Sequence, residues 1–203
     1  MSKFDEQITV VPRQLLFEDE TLAFNGFLAQ TSPQSQNIYD KLAHYEVKRR
    51  GDMEEDPRFK QLISYCLIEN EHGEILVYER LAGGGEERLH GNASIGVGGH
   101  MNDVPHATSV DEVIKINASR ELQEEVGIEI NDPAALQFLG FINDDHNEVG
   151  QVHIGVVFKV KVQQEEVEVR ETDTLKIQWQ SLSQIKDVSA FESWSARILE
   201  QMK

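Results

Sequence analysis

The rhythm of apolar and polar positions changes several times along this chain, and each change marks an element. Near the start, residues 8–11 and 15–17 are apolar runs of strand length, and 21–28 is a third candidate strand. Ser32-Pro33 begins a turn. From Ser35 to about Arg50, Ile38, Leu42 and Tyr45 recur at helical spacing, which predicts a helix ended by Gly51. Residues 52–57 then read as a charged connector.

From Gln61 onward the period shortens to that of strands. Residues 62–69 are mostly apolar, 70–73 carry a turn signal, and 74–80 form the returning strand. An acidic, glycine-rich loop at 82–87 and a short strand at 93–97 lead into Gly98-Gly99. A helix is predicted over 109–126, with Ser109 as N-cap, Glu112 three residues on, and Gly127 as the stop. Two long strands, 136–143 and 152–162, flank the polar loop 144–150. A charged loop at 165–174 precedes a last strand at 175–179. Ser183 and Ser189 precede helical stretches, with Phe191, Trp194, Ile198 and Leu199 on one side of the final helix.

Composition narrows the possibilities. At 203 residues the chain is long enough for one domain with a sizeable core. Its formal charge of −17 removes any general attraction for nucleic acid or an anionic membrane. A small phosphate ester can still bind where metal and a few local cations reverse the field. Cys66 is the single cysteine, so no internal disulfide forms, and its apolar surroundings mark it as a packing residue. Residues 1–7 lack an apolar signal core and no run approaches a membrane span, so a cytoplasmic location is the default expectation.

The predicted helix over 109–126 carries the chemistry. Glu121, Glu124 and Glu125 fall within an arc of roughly 100° on it. Carboxylates about 5 Å apart repel by on the order of 3 kcal/mol at an effective dielectric near 20, and by about 1 kcal/mol in bulk water. A face of this kind is either a solvated acidic surface or a site awaiting counter-charge. Hard divalent cations, Mg²⁺ or Mn²⁺, suit an all-oxygen carboxylate set.

The register of these acids distinguishes the two. Arg120-Glu121-Leu122-Gln123-Glu124-Glu125-Val126-Gly127-Ile128 resembles, at every fixed position, the core of the signature of Nudix hydrolases. Glu112, eight residues before Arg120, fits the upstream glutamate of that signature, and Gly98-Gly99 resembles its opening glycine pair. One departure stands out: twelve residues rather than five separate Gly99 from Glu112, an insertion of seven within 100–111. The resemblance implies an α/β fold, a Nudix-type α/β/α sandwich with a mixed sheet, over residues 58–203. Residues 1–57 are then a short N-terminal extension, packed on the core or at a dimer contact.

The resemblance also implies an activity: metal-dependent hydrolysis of a pyrophosphate bond in a nucleoside diphosphate linked to another group. Glu121, Glu124 and Glu125 match the family's metal-ligand positions, with the Gly99 carbonyl as a further candidate, and Mg²⁺ or Mn²⁺ as cofactor. Arg120 would orient a glutamate. Glu112 is either a participant near the metals or a capping residue. For the general base, Glu148, Glu171 and Glu112 are candidates, with Glu165 and Glu166 behind them. Arg80 and Arg88 are candidate phosphate contacts. Gly83-Gly84-Gly85 lacks the residues that follow a P-loop and reads as a hairpin loop.

The remaining polar features read mainly as structural. His100, Asp103 and His106 recur every three residues in the insertion but match no common zinc spacing, and His153 reads as a core or cleft-wall residue. Lys48-Arg49-Arg50 reads as the basic end of the N-terminal helix. Markers of ADP-ribose, diadenosine polyphosphate, NADH and coenzyme A specialists are missing, Asn143-Asp144 and Ile95-Gly96-Val97 standing at two of those places. The expected partner is therefore a small nucleotide-derived phosphate substrate, with a homodimer possible. A second class, a Nudix-fold nucleotide-binding or sensor protein without turnover, is motivated by the insertion and the N-terminal segment. A third, diphosphate isomerisation, would call on a cysteine, and Cys66 is poorly placed for it.

Overall fold

The computed structural model describes residues 2–80, 92–169 and 175–202. The fold is organised around β4 (Phe59–Glu69), whose apolar run is nearly continuous because both its faces are buried. Cys66 and Ile68 point into one core, while Tyr65 and Leu67 point into the other. β8 (His153–Lys161) lies parallel to β4, in register from Gln61 opposite His153 to Glu69 opposite Lys161. β7 (Gln137–Asn143) pairs antiparallel with β8. On the far side, β5 (Ile75–Arg80) meets the end of β4 and carries β6 (Ala93–Ser94) and β9 (Leu175–Gln180).

Helices cover both faces. α4 (Val110–Val126) lays Ile114, Ala118, Leu122 and Val126 onto the first core. α6 (Ser193–Met202) lays Ile198 and Leu199 onto the second. The result is the expected mixed sheet between helices.

The N-terminal segment is woven into this sheet. β1 (Gln7–Pro12) pairs with β4 on one side and β3 (Glu46–Arg49) on the other, and β2 (Gly26–Ala29) pairs with β7. The sheet order is β2-β7-β8-β4-β1-β3.

Several local expectations change. Residues 15–17, expected as a strand, enter the short helix α1 (Arg13–Leu16) because Leu16 and Phe17 are buried by a turn, not by pairing. The helix expected over 35–50 is α2 (Pro33–Lys41), followed by a 3-10 turn and then β3, whose backbone pairs with β1 instead of continuing the helix. Lys48, Arg49 and Arg50 therefore serve no helix C-terminus. They neutralise nearby acids, Lys48 with Glu46, Arg49 with Asp5 and Asp52, and Arg50 with Glu6 and Glu54. Gly51 sits inside α3 (Arg50–Met53) and does not end a helix. The polar loop 144–150 contains the start of α5 (Glu148–Val152), capped by Asn147.

Candidate active site

α4 is built to present its acids. Ser109 Oγ accepts the Glu112 N–H at 3.2 Å, and Glu112 Oε2 answers by accepting the Thr108 N–H at 2.8 Å. Glu112 is thus engaged in closing the helix start. Gly127, at φ +70°, ends the helix in the left-handed conformation that glycine adopts without a Cβ penalty. Between these caps the buried stripe reads Val113, Ile114, Asn117, Ala118, Glu121, Leu122 and Val126. Two polar residues, Asn117 and Glu121, interrupt an otherwise apolar face.

Glu121 is only 8% exposed. Its carboxylate lies against Gly99, where a Cβ would stand 2.8 Å from Oε2, so that glycine makes room for it. Burial raises the pKa of Glu121 above the usual carboxylate value; Arg120 opposes this, while Glu124 and Glu125 add to it. Arg120 spans the acids, with Nη2 2.8 Å from Glu121 Oε1 and Nη1 3.0 Å from Glu124 Oε2. The same Nη2 donates to the His100 carbonyl and to Asn117 Oδ1. Glu124 is exposed and Glu125 half-buried.

The glycine pair corrects one expectation. The Gly99 carbonyl accepts the Ser64 N–H of β4 at 2.9 Å, so it faces the sheet. The Val97 carbonyl likewise faces Cys66. Successive carbonyls of extended chain alternate in direction, so it is Gly98 that turns its carbonyl away from β4. Gly98 must be glycine, because a Cβ there would run into the Ser64 carbonyl. It also lines a narrow cleft with Leu76, Tyr78, Val97, Glu125, Val126, Val169 and Ile177. The Tyr78 hydroxyl donates to the Gly96 carbonyl, which fixes the ring in the cleft wall.

Among the described residues, no three His, Cys, Asp or Glu side chains form a ready-made metal cage. The donor chemistry nevertheless fits a hard divalent cation. Glu121, Glu124 and Glu125 offer oxygen only, on one helix beside the cleft, and Gly99 leaves the Glu121 carboxylate its space.

Among the described side chains, several expected residues lie on exposed turns. Glu148 opens α5 and is exposed. Glu165 and Glu166 lie in an exposed 3-10 turn, where Glu166 caps the Gln163 N–H. The Arg80 backbone closes β5 opposite Leu175. Arg88, Glu171 and residues 83–85 lie outside the described residues. Asp103 accepts the Tyr45 hydroxyl, and it forms no metal trio with His100 and His106.

His100 and His153 meet at 3.1 Å between their Nε2 atoms, with Gln61 Oε1 2.8 Å from His100. Burial, His153 and Arg50 push His100 down to about 2, so the pair is neutral. Cys66 is fully buried; burial and then Glu121 push its thiol up, which leaves it inert as an acid or nucleophile.

Asn117 escaped the sequence reading, and Gly98 was named there only as part of the opening glycine pair, with Gly99 taken as the carbonyl donor. A polar residue in the apolar stripe of α4 was the available signal for Asn117.

The sequence pattern of the NUDIX domain matches residues 60–202. The chain belongs to the Nudix superfamily. It is a Nudix pyrophosphohydrolase, acting on phosphoanhydride bonds, and such hydrolases generally use divalent metals. Among curated relatives, "Protein YmaB" of Bacillus subtilis (strain 168) is 44% identical over 204 residues, covering 98% of each chain. Among solved structures, Tm1382, assigned to the Nudix hydrolases, superposes with a TM-score of 0.77 at 25% identity over 97% of this chain and 98% of its own. DR0079 from Deinococcus radiodurans shares the fold at a TM-score of 0.53 and 14% identity, with the same coverage. Both Nudix-domain flanks and the N-terminal strands thus fall within the aligned length. Among the described residues, no helix is long and apolar enough to cross a membrane.

Proposed function

We propose that this Nudix protein hydrolyses a nucleoside diphosphate joined to a second group, in a reaction dependent on Mg²⁺ or Mn²⁺. The observation that carries the reading is the cleft in which Glu125 and Gly98 stand beside the apolar wall of Tyr78, Ile177 and Val169. An anionic diphosphate suits the acidic, metal-binding end, and a flat or apolar moiety suits the wall.

Glu121, Glu124 and Glu125 would hold the cation, with the Gly98 carbonyl as a backbone donor. When bound, the cation screens phosphate charge and lowers the pKa of coordinated water. Arg120 holds Glu121 and Glu124 in fixed relation. Arg80 and Arg88 are proposed phosphate contacts. Glu171 and Glu148 are proposed as the base that takes the water proton, Glu171 being favoured because it comes two residues after Val169, which lines the cleft. The capped state of Glu112 argues for a structural part instead. A small nucleotide-derived substrate and a cytoplasmic setting accompany this reading.

The test is a phosphate-release screen against nucleoside triphosphates, nucleotide sugars, ADP-ribose, dinucleoside polyphosphates, NADH and coenzyme A, with Mg²⁺ or Mn²⁺. Metal-dependent cleavage of one compound, abolished in Glu124→Gln with the fold retained, is the expected result. Equal turnover by that variant would overturn the site assignment. Thermal stabilisation by a panel member without any product would instead favour the sensor.

A further inference from the structure

Asn117 is an unusual residue to find where it is. It lies in the middle of α4, only 2% exposed, on a stripe otherwise given to packing. Asparagine is a poor interior helix residue, and burying an amide without partners is costly. Here every hydrogen-bonding capacity of the amide is filled. Oδ1 accepts the Asn102 N–H at 2.8 Å and Arg120 Nη2 at 3.2 Å. Nδ2 donates to the Asn102 carbonyl at 2.8 Å and to the Val113 carbonyl at 2.9 Å. That is two bonds accepted and two donated, the full complement for the group.

The partners matter as much as their number. Asn102 lies in residues 100–111, the stretch that holds seven more residues than the usual signature spacing. Its neighbour Met101 accepts the Thr9 N–H of β1, and Asn102 Nδ2 donates to the Gln7 carbonyl. The insertion is therefore clamped between β1 and α4. At the other end, Arg120 Nη2 has two hydrogens facing three acceptors: the His100 carbonyl, Asn117 Oδ1 and Glu121 Oε1. The first two share Nη2 with Glu121 and so draw part of its hydrogen bonding away from that carboxylate.

We propose that Asn117 is a positioning residue for the acidic face: its amide oxygen fixes Arg120 so that Glu121 and Glu124 stay available as cation ligands. The device depends on residues 100–111, which supply the loop that Asn117 grips. The proposal rests on the metal-binding reading given above.

The experiment titrates Mn²⁺ alone into the full-length protein by calorimetry, with no nucleotide present. The set is wild type, Asn117→Ala, Arg120→Met and the double variant, each checked by thermal unfolding. Losing an outer partner of a metal site typically weakens binding about 10- to 100-fold, and the indirect route through Arg120 places Asn117→Ala near tenfold. In the Arg120→Met background the same change should have little further effect, because the residue it acts through is gone. Asn117→Asp keeps an acceptor for Arg120 but turns a carboxylate oxygen onto the Asn102 and Val113 carbonyls, so it is expected to lower the melting temperature and not to restore the affinity. Additive effects of Asn117→Ala and Arg120→Met, or an unchanged affinity in Asn117→Ala, would overturn the proposal while leaving metal binding intact. A wild-type protein that takes up no Mn²⁺ would remove the metal reading, and this proposal with it.

Discussion

Asp145→Asn offers a quantitative test of how the β7–β8 loop is held. Asp145 sits between two cations: its Oδ1 is 2.7 Å from Lys60 Nζ and its Oδ2 is 2.9 Å from Arg13 Nη2. Lys60 has no exposed side-chain surface; its ammonium also meets Asn143 Oδ1 and the Gly150 carbonyl at 2.7 Å. Burial brings Lys60 down to about 8 despite Asp145. Burial alone would push Asp145 up, but its bonds to Arg13 and Lys60 outweigh it and hold the carboxyl at about 2, against an ordinary 3.8. At 1.36 kcal/mol per unit, that difference is worth about 2 kcal/mol of folding stability.

Removing one partner of a fully buried pair costs roughly 3–5 kcal/mol, and the partial exposure of Asp145 places this case at or below the lower end. The expected loss at pH 7 is therefore about 2–3 kcal/mol, read from urea unfolding. The pH dependence has a definite sign. The folded pKa is depressed, so the contribution is complete above the unfolded value near 3.8 and is lost as pH falls towards 2. The gap between wild type and variant should narrow through that window. A difference below about 0.5 kcal/mol at pH 7, the range of an ordinary surface substitution, would refute the reasoning. So would a gap unchanged between neutral and strongly acidic pH.

Two further substitutions probe the site and its helix. Gly99→Ala places a Cβ 2.8 Å from Glu121 Oε2. Displacing a catalytic group by about 1 Å can cost on the order of 100-fold in rate, so turnover should fall by that order. The melting temperature should stay within about 4 °C, a shift of roughly 1 kcal/mol or less; an active Gly99→Ala enzyme would show that Glu121 does not need its present position. Ser109→Ala removes the oxygen that caps the Glu112 N–H and should cost about 1 kcal/mol in urea unfolding, with no loss meaning that the cap is dispensable.

The elements with a buried face could be read in advance, and those without one could not. β4, β5 and β8 announce themselves as apolar runs, and α4 by its caps and acid register. β3 gave no such sign. At the edge of the sheet, with Glu46, Val47, Lys48 and Arg49 largely exposed, it has no alternating apolar face, and the helical spacing of Ile38, Leu42 and Tyr45 ran on over it. The same limit applies within the site. The sequence places Glu121, Glu124 and Glu125 on one helical arc, but which of two adjacent glycine carbonyls faces them depends on the hydrogen-bond phase along β4. Nor does spacing reveal that Asn117 bonds a loop fifteen residues earlier, since that contact requires the insertion to fold back over the helix.

The placement of β1 also separates two notions of a domain. The NUDIX domain pattern begins at residue 60, yet β4, which begins at Phe59, has its N-terminal edge closed by β1. A chain trimmed to the recognisable stretch would lay bare the backbone of Gln61 along that edge, and would strip Met101 and Asn102 of the strand they are fastened to. Unsatisfied strand edges seek partners, and the trimmed protein would find them in its own copies. The family's pattern is here smaller than the sheet that builds the fold, and the first strand of the chain belongs to that sheet as fully as the strands the pattern covers.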